Sequence, residues 1–191
     1  MTMGRMLGRR MLVTGVTGVA VLLAAFLVHA GTPASASATT TTTTTTAPGP
    51  VTDWVTFYGY VDNSPAGGAI AHPCIHATAG GVGTYANPIT FAEPIDLNGP
   101  WCQIVYVPFL EKYFIHEDQC DPCGGVNTAH LDLWMGGDAL SKKQPERKAL
   151  LGCENTWTRT TTVIESPPSN EPVDTTPLFT PPVTCHGGTG D

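Results

Sequence analysis

The chain has 191 residues, of which 41% are hydrophobic and 13% charged, and its formal net charge is −7 at pH 7. This length allows one ordinary domain with extensions at its ends. The first 38 residues hold three basic residues and no acid, so the remainder has 6 basic and 16 acidic residues and a net charge of −10. Because so acidic a chain is repelled by a phosphate backbone, we expect no nucleic-acid partner.

The N-terminal segment has the features of an export signal. Three arginines precede an apolar run, MLVTGVTGVAVLLAAFLV, and small residues with Ala-x-Ala spacing follow it. We predict a signal peptide over residues 1–38, cleaved near Ala30 or Ala38, and a protein that is secreted, extracellular or associated with the cell wall. A retained membrane anchor is the alternative, but threonine and glycine interrupt the run, so we expect no membrane partner after cleavage. The Arg9-Arg10 pair also permits a twin-arginine signal.

Residues 39–50 are predicted to be a linker, because eight threonines followed by Ala-Pro-Gly-Pro cannot bury a core. The next segment, 51–60 (VTDWVTFYGY), alternates between two faces and is predicted to be the first strand. Val55 and Phe57 form its apolar face. Its polar, aromatic face has Thr56, Tyr58 and Tyr60.

Further strand-like runs follow a segment rich in turn residues. They are PITFA, QIVYVPFL and YFIHE, and the last two form a predicted hairpin through Glu111 and Lys112. The loop QCDPCGGVNTA then leads to HLDLWM, the next predicted strand.

The stretch 113–137 concentrates the chemically capable residues of the chain, with acids, histidines, cysteines and a tryptophan. In its second strand, alternation places Leu131, Leu133 and Met135 in a core-facing row. His130, Asp132 and Trp134 then share the opposite face. In its first strand, periodicity does not decide whether Glu117 or Asp118 faces a groove. For Asp118 and Asp121, a solvated or capped loop carboxylate is an equally open interpretation.

One helix is predicted over ERKALL, with Ser141 or Gln144 as its cap, Pro145 in its first turn and Gly152 as its end. The β-branched run TWTRTTTVIE is predicted to be a closing strand. Many short strands and one helix indicate a small all-β barrel over residues 51–165. The proline-rich tail, 166–191, is predicted to lack regular structure and to be tied to the barrel through Cys185.

The cysteines are even in number and follow an export signal, so we expect three disulfides. They are Cys74, Cys102, Cys120, Cys123, Cys153 and Cys185. The pairing stays open; for Cys185 the partner is Cys153 or another loop cysteine. A zinc site is the alternative, because the sequence H-x3-C-x2-C-x6-H runs from His116 to His130. Oxidation competes for thiols outside the cytoplasm and this histidine spacing is uncommon for zinc, so we expect no metal and no cofactor.

Three short pieces, in order, resemble a known superfamily. They are Thr56-Phe57-Tyr58-Gly59, the strand ending in Glu117-Asp118, and His130-Leu131-Asp132-Leu133. They are similar to the double-psi β-barrels of expansins, family-45 endoglucanases, and rare-lipoprotein-A-like and other lytic transglycosylases. The resemblance implies a six-stranded double-psi β-barrel with one short helix, stabilised by disulfides. Two features depart from it: the loop QCDPCGGVNTA has no counterpart, and no C-terminal β-sandwich follows.

The same resemblance implies roles for individual residues. Asp132 matches the acid of the expansin His-Phe-Asp motif, Asp118 the second acidic position, and Thr56 the threonine near it. Glycoside cleavage needs a protonated carboxyl and usually a second carboxylate, whereas a lytic transglycosylase can use one acid. We therefore expect Asp132 to be the general acid and Asp118 a base or an electrostatic partner.

Aromatic and polar side chains complete the predicted site. The expected substrate contacts are Thr56, Tyr58, Tyr60, His130 and Trp134, the aromatic rings by stacking on sugars. Trp54, Trp101 and Trp157 are expected to pack in the core or at strand ends.

The sequence thus predicts a secreted monomer that cleaves a β-1,4-linked cell-wall polysaccharide, either peptidoglycan or a cellulose-like polymer, as a glycoside hydrolase or lytic transglycosylase. Two alternatives share the fold: a nonhydrolytic expansin-like module that binds or loosens the wall, and a barwin-like inhibitor or elicitor. Release of soluble fragments from purified wall polymer separates them.

Overall fold

The computed structural model describes residues 49–94, 97, 99–121 and 130–187. They all belong to one compact unit, Thr44–Asp191. The predicted signal peptide, nearly all of the linker and Cys123 lie outside these residues. Within the described ranges, no helix is both long and apolar enough to cross a membrane.

Six strands form a closed barrel in the order β1-β5-β2-β4-β3-β6. Their bounds are β1 (Pro50–Gly59), β2 (Ile89–Pro94), β3 (Ile104–Val107), β4 (Lys112–Cys120), β5 (His130–Gly136) and β6 (Arg159–Glu165). The pairs β1–β5 and β2–β4 are parallel, and the other four pairs are antiparallel. One α-helix, α1 (Glu146–Trp157), lies between β5 and β6, and two 3-10 turns cover Pro108–Leu110 and Ala139–Lys142. The predicted class, mainly β with one helix and stabilised by disulfides, is confirmed.

The barrel interior follows the predicted alternation. In β5, Leu131, Leu133 and Met135 are all buried, and in β1 Val55 and Phe57 are buried as well. These side chains belong to one hydrophobic cluster that fills the barrel. Burial of such apolar area is the main force that holds a small barrel together.

Two bulges interrupt the strand alternation, one in β4 opposite β2 and one in β5 opposite β1. Phe91 of β2 pairs with His116 and Ala92 pairs with Asp118, so Glu117 is an extra residue in β4. A bulge places two residues opposite one on the neighbouring strand and re-aims the side chains around it. This is why a period of two could not assign the faces of Glu117 and Asp118.

Helix α1 is longer than predicted. It starts at Glu146 as expected but continues through Gly152 to Trp157. A glycine in a helix interior costs only about 1 kcal/mol. The burial of Leu150 and Cys153 against the barrel offsets that cost, because both side chains are inaccessible to solvent.

Within residues 166–187 the C-terminal tail contains regular structure, and the prediction that regular structure ends after Ser166 is wrong. Two short strands, β7 (Phe179–Thr180) and β8 (Thr184–Cys185), pair with each other. Leu178 and Phe179 are buried in the core cluster. In addition, the Tyr113 hydroxyl donates to the Pro168 carbonyl at 2.6 Å. The tail therefore contributes to the packing of the domain, which residues 51–165 alone do not complete.

Disulfides hold both the long β1–β2 loop and the tail. Cys74 is bonded to Cys102 and Cys153 to Cys185. Cys120 is disulfide-bonded too, and no described cysteine is a free thiol. The predicted tie between Cys185 and Cys153 is confirmed.

Candidate functional site

A groove of about 520 Å³ is lined by residues of β1, β2, β4 and β5 and of the segments that follow β1 and β4, and its lining is mostly polar. We call it the acidic groove. Its lining includes Thr56, Tyr58, Asp62, Gln119, Asp121 and Asp132. Thr56 and Tyr58 of β1 therefore lie close to the predicted acid, Asp132 of β5. Parallel pairing of the two strands sets Thr56 directly opposite Asp132.

Asp132 is held by a short chain of hydrogen bonds. The Thr56 hydroxyl donates to Asp132 Oδ1 at 2.7 Å. Thr56 Oγ1 also lies 2.7 Å from His130 Nε2. A hydroxyl has one proton, so while it donates to an ionised Asp132 it accepts from the Nε2–H of His130. His130 is buried and is linked to Asp132 through the threonine, and it is not among the residues that line the acidic groove, where it was expected as a substrate contact.

Asp132 is suited to carry a proton near neutral pH. Its pKa is raised to about 7: burial is the main cause, the bond from Thr56 lowers the pKa, and the nearby Asp62 and Asp118 carboxylates raise it. A general acid is most effective when its pKa lies close to the working pH. The sequence places Trp134 on the same strand face as this acid, but the main cause of the raised pKa is the burial of the Asp132 carboxyl itself.

Asp118 lies behind the wall of the groove. It is 5% exposed and accepts hydrogen bonds from the Tyr58 hydroxyl at 2.8 Å and from the Ala71 N–H at 3.0 Å. Burial raises its pKa, while the bonds from the Gln119 N–H, Tyr58 and Ala71 lower it. Asp118 therefore positions Tyr58 and contributes negative charge near Asp132.

Glu117 faces away from the groove and anchors the β1–β2 loop. Its side chain accepts from the N–H groups of Cys74, Ile75 and His76. It also lies 2.6 Å from His76 Nδ1 and accepts from Thr90. Burial would raise its pKa, but these hydrogen bonds outweigh burial and hold it below its usual range. The residue on the groove side is thus Asp118.

The aromatic residues are distributed differently from the prediction. Tyr58 and Trp134 are each 7% exposed and pack edge to face against one another at 5.2 Å, so the Trp134 indole offers no stacking face. Tyr60 lies under the Lys142 ammonium, outside the acidic groove. Trp54 and Trp101, which were expected to pack in the core or at strand ends, are exposed by 42% and 39%. Periodicity predicts on which face of a strand a side chain lies, but whether that side chain is buried depends on the neighbouring elements.

Two acidic residues of this site were missed in the sequence. Asp62 is exposed at the lip of the groove and accepts from the Gly59 N–H at 2.8 Å. Glu154 of α1 is buried, and burial together with Asp62 and Asp132 raises its pKa to about 9. Asp62 sits among turn residues and Glu154 beyond the predicted helix end, so no local signal linked either one to the site.

The alternative zinc site does not fit the described residues. Cys120 is disulfide-bonded, so its thiolate is not available to a metal. His116 stacks between Phe91 and Trp101 and contacts the Pro100 carbonyl through Nδ1. Elsewhere in the described ranges, one group of three potential ligands lies close together, His72, Cys74 and Cys102. Its two cysteines form a disulfide.

The fold and site thus define a small disulfide-bonded barrel with an acidic groove at one end. Residues 51–186 match the family model described as "DDB_G0273701 N-terminal domain", and the chain belongs to this family. A Dictyostelium discoideum protein, "Uncharacterized protein DDB_G0273701/DDB_G0273221", is 39% identical over 137 residues, which are 68% of this chain. The matched part spans 56% of that relative's length. No solved structure matches the chain.

Proposed function

We propose that this protein is a secreted, monomeric, glycan-active double-psi β-barrel protein that cleaves a β-1,4-linked cell-wall polysaccharide. The observation that carries the proposal is Asp132: a half-buried carboxyl in an open groove, with a pKa of about 7 and a hydrogen bond from Thr56. The closed six-stranded order with two parallel pairs supports the barrel assignment, and the disulfides suit an oxidising location outside the cytoplasm.

In the proposed reaction Asp132 donates its proton to the glycosidic oxygen as the bond from that oxygen to the anomeric carbon breaks. The Asp132 carboxylate is then stabilised by the proton of Thr56. It takes up the proton of the attacking hydroxyl, which belongs to water or to the sugar itself, as the new bond to the anomeric carbon forms. One carboxyl therefore begins and ends the cycle protonated.

Asp118 fits the role of electrostatic partner better than that of a base. Its carboxylate is buried and already accepts from Tyr58, Ala71 and Gln119, so it does not meet a substrate water directly. Its charge raises the pKa of Asp132 and its bond to Tyr58 fixes a residue of the groove wall. This arrangement favours single-acid chemistry, as in a lytic transglycosylase.

A nonhydrolytic, expansin-like binding module is the second candidate. It is favoured by the same burial of Asp118, because the predicted second carboxylate is not among the residues that line the groove. The two candidates are separated by incubating purified wall polymers with the protein and measuring soluble fragments by mass spectrometry. Fragments that carry an anhydro-sugar end support transglycosylation, reducing ends support hydrolysis, and binding without fragments supports the module.

A further inference from the structure

The acidic groove does not end at Gln119 but continues across the barrel surface. A second cavity of about 360 Å³ shares Gln119 with it and is also lined by Trp101 and His116. A third cavity of about 450 Å³ shares Glu93, Gly99 and Pro100 with the second. The three cavities therefore adjoin one another, and together we call them the long furrow.

The charge of the long furrow is one-sided. Its described lining has six carboxylates and neither a lysine nor an arginine. The six are Asp53, Asp62, Glu93, Asp121, Asp132 and Glu165. A cleft lined by one sign of charge attracts ligands of the opposite sign and repels ligands of the same sign. A glycan rich in carboxylates is thus disfavoured, and a cationic one is favoured.

Asp53, in the third cavity, shows where a cation is needed most. Its side chain is 97% buried, since only 3% of the residue is exposed, and its Oδ1 has no hydrogen-bond partner. A buried carboxylate oxygen without a donor is costly. Glu93 and Glu165 line the same cavity, and burial, with Asp53 and Glu165, raises the pKa of Glu93 to about 7. No lysine or arginine is among the described lining residues of this cavity, and a bound cation would favour the ionised forms of its carboxyls.

The middle of the long furrow is lined by a partly exposed tryptophan, Trp101. The Trp101 ring is 39% exposed and lies in a stack with His72 at 4.9 Å and His116 at 4.3 Å. The adjacent Cys102 is bonded to Cys74, which ties this loop to the β1–β2 loop. Two imidazole rings stack on this indole, and the part of the ring that stays exposed offers a sugar an apolar contact beside hydrogen-bonding groups.

A single metal ion explains the third cavity less well than an organic cation. Ligand atoms around one ion lie within about 4.8 Å of one another, and in the described residues the only group of three that meets this limit is His72, Cys74 and Cys102. Carboxylates that are spread further apart are better matched by ammonium groups, which have three donors each and bond to separate acceptors.

We propose that the long furrow binds a β-1,4-linked glycan that carries free amino groups, with a sugar ring on Trp101 and an ammonium group at Asp53, Glu93 and Glu165. This inference rests on the proposed function and names its substrate class: polymers of 2-amino-2-deoxy sugars in preference to their N-acetylated or hydroxylated counterparts. Each ammonium supplies the donors that Asp53 lacks, and the charge-assisted bonds give the preference.

The test compares three β-1,4-linked hexasaccharides by isothermal titration calorimetry: the glucosamine, N-acetylglucosamine and glucose forms. At neutral pH and low salt, the glucosamine form should bind about tenfold more tightly than the N-acetylated form. Added salt should shrink this ratio. Asp53→Asn and Glu165→Gln should each bring it close to one, while Glu171→Gln, which removes a carboxylate outside the furrow, should leave it unchanged. Thermal unfolding of each variant confirms that it is folded.

Equal dissociation constants for the glucosamine and N-acetylated forms would overturn the inference. A lysine hexapeptide that binds as tightly as the glucosamine form, with the same dependence on Asp53, would overturn it as well, because the furrow would then bind any polycation. Failure of the inference is distinguishable from failure of the proposed function. If the neutral hexasaccharides are bound and cleaved without any preference for amino groups, the proposed function stands and the substrate class is wrong. If none of the three sugars is bound or cleaved, the inference is wrong, and fragment release from purified peptidoglycan then decides the proposed function.

Discussion

Replacement of Asp132 by asparagine should abolish activity and, above neutral pH, stabilise the protein. Asp132→Asn keeps the side-chain size and an acceptor for the Thr56 hydroxyl, but it removes the proton that a general acid donates. Fragment release should therefore fall by about 10²- to 10⁴-fold. The wild-type rate should itself decline as the pH rises through about 7, because the acid then loses its proton.

The size of the stability change follows from the pKa of the carboxyl. Folding raises the pKa of Asp132 from 3.8 to about 7. This is a shift of roughly three pH units, and each unit corresponds to about 1.4 kcal/mol. With a discount for the partial exposure of Asp132, ionisation costs the folded state about 2–4 kcal/mol. Because the folded pKa is the higher one, this cost is absent below pH 3.8 and fully present above about 7.

The assay pairs fragment release with chemical denaturation at several pH values. Asp132→Asn and the wild type should have similar free energies of unfolding at low pH, and the variant should be the more stable one above pH 7. Glu171→Gln serves as the matched control, with neither effect. Undiminished fragment release by Asp132→Asn would refute the acid role, and a variant that is less stable at high pH would refute the burial argument.

Three further predictions concern stability. Glu117→Gln should destabilise the protein by about 1–3 kcal/mol at neutral pH. Because folding lowers the pKa of Glu117, its contribution to stability is present above the unfolded pKa and is lost as the pH falls through the folded pKa. Urea denaturation of both proteins at several pH values measures this, and equal free energies of unfolding at every pH would contradict it. Breaking the Cys153–Cys185 disulfide by Cys185→Ser should cost roughly 2–5 kcal/mol, and thiol titration of the denatured wild type should find no free thiol; a titre near two would revive the zinc alternative. A chain that begins at Gly49 should unfold cooperatively, whereas a chain that ends at Ser166 should not, because it lacks the buried Leu178 and Phe179. Circular dichroism during heating distinguishes the two, and a cooperative transition in the chain that ends at Ser166 would show that the tail is dispensable.

Burial depth was the property that local patterns predicted least well. The alternation of β5 correctly assigned Leu131 and Leu133 to the core and Asp132 to the opposite face. The same alternation put Trp134 beside Asp132 as a stacking platform, yet Trp134 packs against Tyr58 inside the structure. A side chain on the outward face of a strand is exposed only if no other segment covers it, and that depends on contacts between distant parts of the chain.

The sequence by itself determined the six barrel strands, the start of the single helix, the expectation of disulfides from an even number of cysteines, and the face of β5 on which Asp132 lies. These follow from periodicity, from residue type and from motifs a few residues long. Only the tertiary structure decided that Glu117 is a bulge residue turned toward the β1–β2 loop, that the tail is part of the core, and that Asp53, Asp62 and Glu154 lie in acidic surroundings. The physical reason is that desolvation and charge repulsion act through space, so a pKa or an unpartnered oxygen is set by residues far apart in the sequence.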